Sequence, residues 1–240
     1  SEMCIRDRFD TPLLMCRNQG LSMEQRAFKR VLDIIISGLG IIVSSPIMLI
    51  IAIAVKAYDG GPVFYLQDRL TYKGKEFRIR KFRSMCVDSE KNGARLASKH
   101  DSRITPVGHV LRNLHLDELP QLFNVFKGDM SLVGPRPERE SIMLEYEKEL
   151  PEFYYRLKVK AGLTGYAQVY GKYNTTPYDK LKLDLFYIEN YSFLLDIKLI
   201  FMTVKIFFQK EVSEGVDDRQ VNALKDSGKN AGVSENKTEE

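Results

Sequence analysis

The chain is poor in the residues that build covalent or metal scaffolds. It has three cysteines, Cys4, Cys16 and Cys86, an odd number at scattered positions. That argues against a disulfide framework and a paired-cysteine metal site, and it fits a reducing compartment. Its three histidines, His100, His109 and His115, form no zinc pattern. Charge is missing altogether from Ile34 to Val55. No small-residue cleavage site follows that run, and it is too long for the apolar stretch of a secretory signal, so a cleaved leader is a poor reading. A strong charge imbalance is lacking too: 36 Lys and Arg stand against 32 Asp and Glu, for a net charge of +4 and a pI near 8.8. This mildly basic balance suits an anionic membrane surface and phosphate ligands, and suits nucleic acid less specifically. What is present is 44% hydrophobic residues in 240, enough for one ordinary core plus a membrane element.

The uncharged run of about 22 residues is long enough to span a bilayer as one helix. Two features argue instead for re-entry. Pro46, preceded by Ser44 and Ser45, lies near its middle. Proline removes one backbone bond and clashes with the carbonyl of Ile42, and serine hydroxyls can satisfy carbonyls freed in this way. Each arm is then about 9–12 residues, roughly 14–18 Å, close to half a bilayer. The flanks are basic on both sides, Arg26, Lys29 and Arg30 before and Lys56 after, which leaves no charge asymmetry to drive a crossing. Ser45 and Pro46 are therefore the expected break of a re-entrant helix, with a plain transmembrane span as the alternative.

The tract LHLDELPQLFNVFKGDMSLVGPRPER, Leu114 to Arg139, carries the chemistry. Asp117 and Glu118 are adjacent carboxylates, candidates for nucleophile and acid–base work. An isolated Asp-Glu before a helix also serves as a plain helix start. If Asp117 is the N-cap, Pro120 falls at the third helical position and offers no N–H to receive its bond, which leaves the carboxylate freer. Neighbours on a helix point about 100° apart, so the pair divides its roles rather than sharing a proton. A short helix should follow with Leu119, Leu122, Phe123 and Phe126 on one stripe, closed by Gly128. Arg136, between Pro135 and Pro137, is a pre-organised guanidinium suited to a bidentate anion.

Residues Gly60 to Met85 read as a β-hairpin with its turn at Lys73-Gly74. If the alternation of EFRIRKF persists, Lys81 and Arg83 share the apolar face of Phe77 and Ile79 and need anionic partners. A bulge after Arg80 would return both to solvent. Thr105 and Pro106 should open a short helix with an apolar stripe of Val107, Val110, Leu111 and Leu114, and Arg112 off that stripe. Tyr191 to Phe208 is apolar but carries Asp196, Lys198 and Lys205, so a helix packed on the domain or lying in the interface fits better than a span. Beyond Glu211 the composition is that of a disordered polar tail.

These residues resemble a family. LDELPQLFNVFKGDMSLVGPRP looks like the signature of the bacterial sugar transferases, the monotopic phosphoglycosyl transferases. The likeness extends through KRVLDIIISGLGIIVSSPIMLIIAIAVK, GPVFYLQDR, FRIRKFRSM, RITPVGHVLR, KAGLTGYAQVYGK and LKLDLFYIENYSFLLDIKLI, about 180 residues in the family's order. It implies Asp117 as covalent nucleophile, Glu118 as its acid–base or positioning partner, and magnesium, or manganese, bound at Asp117. It implies phosphate contacts at Lys81, Arg112 and Arg136 and a further acidic active-site position at Asp184. Lys172 stands where the family commonly has arginine. A point charge there replaces a planar fork, which puts that nucleotide or phosphate contact in doubt. The implied reaction moves a sugar 1-phosphate from a UDP-sugar to undecaprenyl phosphate, releases UMP and begins exopolysaccharide, capsule or other glycoconjugate assembly.

The expected fold is α+β. Residues 1–24 read as a non-native start, since SEMCIRDR resembles translated sequencing adapter, plus the stub of an upstream domain. Residues 25–57 form the re-entrant helix, 58–210 the catalytic domain and 211–240 the tail. The expected setting is the bacterial inner membrane with catalysis on the cytoplasmic face. Expected partners are UDP-sugar, undecaprenyl phosphate and lipid but not nucleic acid, with a homodimer left open. A non-catalytic basic module anchored to acidic lipid would explain the anchor and the charge, but not Asp117-Glu118 and Arg136 in one tract.

Overall fold

A computed structural model describes residues 3–6, 12–16, 21–87, 101–171 and 176–208. Lys172 and the 211–240 tail lie outside the described residues. The elements run β1 (Met3–Arg6), β2 (Pro12–Cys16), α1 (Met23–Asp59), β3 (Phe64–Leu70), β4 (Glu76–Phe82), α2 (Pro106–Asn113), α3 (Gln121–Lys127), β5 (Ser131–Val133), α4 (Glu140–Glu149), β6 (Gly162–Thr164), α5 (Tyr166–Tyr170), α6 (Pro177–Glu189) and α7 (Phe193–Phe208). Among the described residues the strands pair two by two, β1–β2 and β3–β4 antiparallel and β5–β6 parallel, and with the helices they make an α+β arrangement.

Helix α1 is 37 residues long. It starts in a capping box, with Ser22 accepting from the Gln25 N–H and the Gln25 side chain accepting from the Ser22 N–H. It ends at Gly60, whose φ of 70° only glycine adopts freely. The helix continues through Pro46, and Ser45 Oγ donates to the Ile42 carbonyl at 2.8 Å, the carbonyl that proline deprives of its donor. Ser44 Oγ donates to the Gly40 carbonyl at 2.6 Å. Around this point Ile42, Val43, Ile47, Leu49, Ile50 and Ile53 are exposed. By length and composition α1 can cross a membrane, and its apolar surface is one that lipid covers better than water does. The domain is membrane-associated through it.

Both arms of α1 pack on the remaining chain. In the first, Arg30 donates to the carbonyls of Val125 and Phe126 at 2.7 Å each, closing the C-terminal end of α3. Gly38 and Gly40 leave room for Phe126 and Leu122. Asp33 Oδ1 accepts from Ser131 Oγ at 3.1 Å and Leu132 N at 3.0 Å, tying α1 to β5. Lys29 forms a buried 2.5 Å ion pair with Asp196 of α7. In the second arm Met48, Ile51 and Val55 form a small core with Phe82 and Leu111, and Asp59 pairs with Arg83. The larger core gathers Phe77, Ile79, Val125, Met130, Val133, Phe153, Leu181, Leu185, Tyr187 and Leu199.

The apolar stripes expected for the two short helices differ from the faces they bury. In α3 the buried side chains are Gln121, Asn124 and Val125, while Phe123 and Phe126 stay partly exposed and Leu119 precedes the helix. The reason is Asn124, whose carboxamide accepts from Arg80 N at 3.0 Å and donates to Arg78 O at 2.8 Å. It pairs with β4 as a further strand would, and it turns that polar face inward. In α2 only Gly108 and Leu111 are buried, and Val110 and Leu114 are exposed. The Thr105 cap and Pro106 start are as expected. Helix α7 packs its Asp196 and Leu199 inward, with Asp196 bonded to Lys29 and Tyr187.

Candidate active site

The hairpin β3–β4 keeps its register without a shift from Phe64↔Phe82 to Leu70↔Glu76. No bulge follows Arg80. Alternation therefore carries Lys81 to the face of Phe77 and Ile79, where the ammonium meets Glu118 Oε1 at 2.6 Å. Arg83 finds Asp59. Each cation turned inward thus has a carboxylate partner within the chain, which is what burial demands.

Asp117 and Glu118 do not sit in α3. They belong to a separate 3-10 turn, Leu116–Glu118, while α3 begins after Pro120. Asp117 is therefore not the N-cap that one sequence reading made it. The turn is set off by His115, which holds φ 53°, a left-handed conformation uncommon outside glycine. Among the described residues no side chain donates a hydrogen bond to the Asp117 carboxylate. Burial raises the Asp117 carboxyl above its ordinary value; Lys81 opposes this, Glu118 adds to it, and Arg112 and His115 oppose it. These groups converge on one turn.

Glu118 has the opposite character. Burial alone would raise its carboxyl, but Arg136 and Lys81 outweigh it and hold the group well below the usual carboxylate range. Arg136 Nη2 lies 3.0 Å from the same Oε1 that Lys81 meets. Two neighbouring carboxylates are thus pushed apart in acidity, one without a side-chain hydrogen bond among the described residues and one held by two cations.

Arg136 projects from a loop whose backbone is fixed carbonyl by carbonyl. Pro135 O accepts from Gly162 N at 2.9 Å, Arg136 O from Arg156 Nη2 at 2.9 Å, Pro137 O from Arg69 Nη1 at 3.1 Å and Glu138 O from Leu70 N at 3.0 Å. Gly134 must be glycine, since a Cβ there would lie 2.4 Å from Lys160 O. Glu138 pairs with Lys180 and lies 3.4 Å from Arg156 Nη1. Asp184 is not brought to Asp117. Its carboxylate meets Arg156 Nη2 at 2.8 Å behind the loop, with side-chain exposures of 1% and 2% for the pair. Asp184 thus holds the guanidinium that donates to the Arg136 carbonyl.

No group of three or more His, Cys, Asp or Glu side chains is placed to hold a metal ion among the described residues. A single free carboxylate is nevertheless a donor set that magnesium uses, completed by substrate phosphates and water.

The sequence model of one family, bacterial sugar transferase, matches residues 24–210. The chain belongs to the bacterial sugar transferases. Every element from α1 to α7 of this sugar transferase lies within, or one residue outside, the matched span. It is 44% identical over 180 residues to a UDP-N-acetylgalactosamine-undecaprenyl-phosphate N-acetylgalactosaminephosphotransferase of Aeromonas hydrophila, covering 74% of this chain and 43% of the relative. It is 44% identical over 201 residues to a UDP-glucose:undecaprenyl-phosphate glucose-1-phosphate transferase of Klebsiella pneumoniae, covering 82% and 42%. It is 38% identical over 215 residues to an undecaprenyl-phosphate galactose phosphotransferase of Salmonella typhimurium, covering 83% and 44%. The sugar transferase chain therefore spans less than half the length of these relatives.

Of the residues singled out from sequence, Lys81, Arg112, Asp117, Glu118 and Arg136 gather in this sugar transferase at one turn. Sequence reasoning missed Arg69, Asn124, Glu138 and Arg156. Arg156 sits in the basic, aromatic stretch Pro151–Lys158, where no periodicity marks a buried cation. Glu138 follows the Pro-Arg-Pro tract directly, and that adjacency was the available signal.

Proposed function

We propose that the chain transfers a sugar 1-phosphate from a UDP-sugar to undecaprenyl phosphate and releases UMP. The reading rests on the activities of the relatives and on one observation: Asp117, whose carboxylate takes no side-chain hydrogen bond among the described residues, stands beside a Glu118 held by Lys81 and Arg136. In the first half-reaction an Asp117 carboxylate oxygen attacks the β-phosphorus of the donor. The bond from that phosphorus to the bridging oxygen breaks, and UMP leaves with the bridging electrons. In the second, a phosphate oxygen of undecaprenyl phosphate attacks the same phosphorus, and the bond to Asp117 breaks. Splitting one transfer into two through a carboxylate is covalent catalysis. Lys81, Arg112 and Arg136 stabilise charge on the transferring group. Asp117 and the donor diphosphate would hold magnesium or manganese, which when bound supplies further positive charge against the phosphoryl oxygens. The family resemblance alone carries a nucleotide or phosphate contact at Lys172, where a point charge stands in place of the family's arginine fork.

A re-entrant α1 belongs to the same reading, with the catalytic domain on the cytoplasmic face. A straight helix of 37 residues would be about 55 Å long, more than the roughly 40–45 Å of a whole bilayer. Yet Lys29 near one end and Asp59 at the other are both ion-paired to the same domain.

The test is intact-protein mass spectrometry after mixing with a panel of UDP-sugars in the absence of undecaprenyl phosphate. A phosphosugar mass mapped to Asp117 and lost in Asp117→Asn is expected, and the donor that gives it names the sugar. An adduct elsewhere, or full turnover by Asp117→Asn, sinks the assignment.

A further inference from the structure

We propose that Glu118 competes with a donor phosphate for the seat between Lys81 and Arg136, so that binding of the donor displaces it. The proposal rests on the function proposed above for its substrate class, a diphosphate ester, but not for its geometry.

Lys81 Nζ and Arg136 Nη2 reach the same atom, Glu118 Oε1, at 2.6 and 3.0 Å. The two cations come from unrelated parts of the chain, a regular strand and a proline-bracketed loop, and they converge on one point. The mounts of both are rigid. Lys81 lies in an unbroken register, paired across from Tyr65. The loop of Arg136 has four consecutive carbonyls engaged. Glu118 is the movable member: it ends a three-residue turn that starts from a left-handed His115 and has no side-chain cap. One carboxylate charge faces two cations, with Arg112 adding a third positive group near the turn. The surplus favours an anion with more charge and more oxygens than a carboxylate. A diphosphate meets the same donors at the same N···O distances and offers several oxygens where Glu118 offers one. Displacement frees the Glu118 side chain beside Asp117 only when a donor is seated, so the catalytic turn changes partners on binding and not before.

The experiment measures binding of inorganic pyrophosphate, the diphosphate without nucleoside or sugar, to the full chain in lipid nanodiscs. Calorimetry in chelator-treated buffer keeps divalent cations out of the reading. Glu118→Gln removes the competing charge. Glu118→Asp keeps the charge but draws it back by one methylene, out of reach of the seat. Both variants should bind pyrophosphate on the order of 10-fold tighter than wild type, the size expected when one charge-assisted contact no longer has to be broken. Lys81→Met should cancel the gain in either background. Tightening in Glu118→Gln alone would mean plain charge repulsion and overturn the seat. Unchanged or weaker binding in both would show that Glu118 organises the cations rather than competing for them, and would overturn it too. If Glu118→Gln does not fold, Glu118→Asp decides alone. UMP release by wild type is measured separately, so failure of the proposed reaction and failure of the seat are told apart.

Discussion

Asp184→Asn probes the support behind Arg136 most directly. The substitution keeps shape and removes one charge from a pair whose side chains are 1% and 2% exposed. Arg156 would retain the Arg136 carbonyl at 2.9 Å and Glu138 at 3.4 Å, but its nearest carboxylate would be gone. Breaking a buried pair by removing one partner costs about 3–5 kcal/mol. Because Glu138 still faces the guanidinium, the expected loss lies at the lower end, about 3 kcal/mol. Arg156→Met should cost a similar amount, since it also strips the donor from the Arg136 carbonyl. The two losses should not add. The double variant should be about 2 kcal/mol more stable than the sum of the singles, a coupling typical of residues in one network. Turnover should stay low in all three, because a misplaced Arg136 weakens capture of the donor. The chain has no tryptophan, so unfolding in detergent micelles is best followed by circular dichroism, with UMP release in parallel. Additive losses within about 0.5 kcal/mol would refute the reasoning, because independent sites add and coupled ones do not. So would wild-type turnover in Asp184→Asn.

Three further outcomes are expected. Single cysteines placed at Gln25 and Tyr58 should be labelled from the same side of sealed vesicles, and opposite accessibility would rule out re-entry. Asn124→Leu loses both bonds to β4 and leaves Arg80 N and Arg78 O without a partner, so it should destabilise by about 2–3 kcal/mol, read by denaturant titration. Burial works to raise the Glu138 carboxyl, but Lys180, Arg156 and Arg69 hold it below its ordinary value. A carboxyl lowered by folding adds stability above its unfolded value, about 4.3, and loses it as pH falls through the folded value. Wild type should therefore lose stability on acidification below about pH 4.5 more steeply than Glu138→Gln, and equal slopes would remove Glu138 from the account.

Much of the site was legible because it lies in one stretch of chain. Asp117, Glu118 and Arg136 fall within twenty residues, and proline on both sides of Arg136 signals a fixed guanidinium without any tertiary knowledge. Lys81 was legible through period two alone. Its carboxylate partner Glu118 was not, nor was Asp59 as the partner of Arg83, because pairing across the molecule leaves no local pattern. The stripe of α3 misled for a related reason. Asn124 looks like a surface residue until a strand edge is placed beside it. Arg156 illustrates the limit most plainly: the resemblance marks Asp184, but its buried partner lies in a basic, aromatic stretch with no periodicity to reveal it.

The way α1 is held has a practical side. Trimming a membrane segment to obtain a soluble catalytic fragment works when the segment hangs from a linker. Here Met48, Ile51 and Val55 are packing partners of Phe82 and Leu111, and Asp33 supplies a bond to the backbone of β5. Removing α1 would bare apolar side chains on β4, α2 and α3 and strand the buried charges of Asp196 and Arg83. Soluble variants of this domain are better sought by recolouring the exposed positions Ile42, Val43, Ile50 and Ile53 with polar side chains than by shortening the chain.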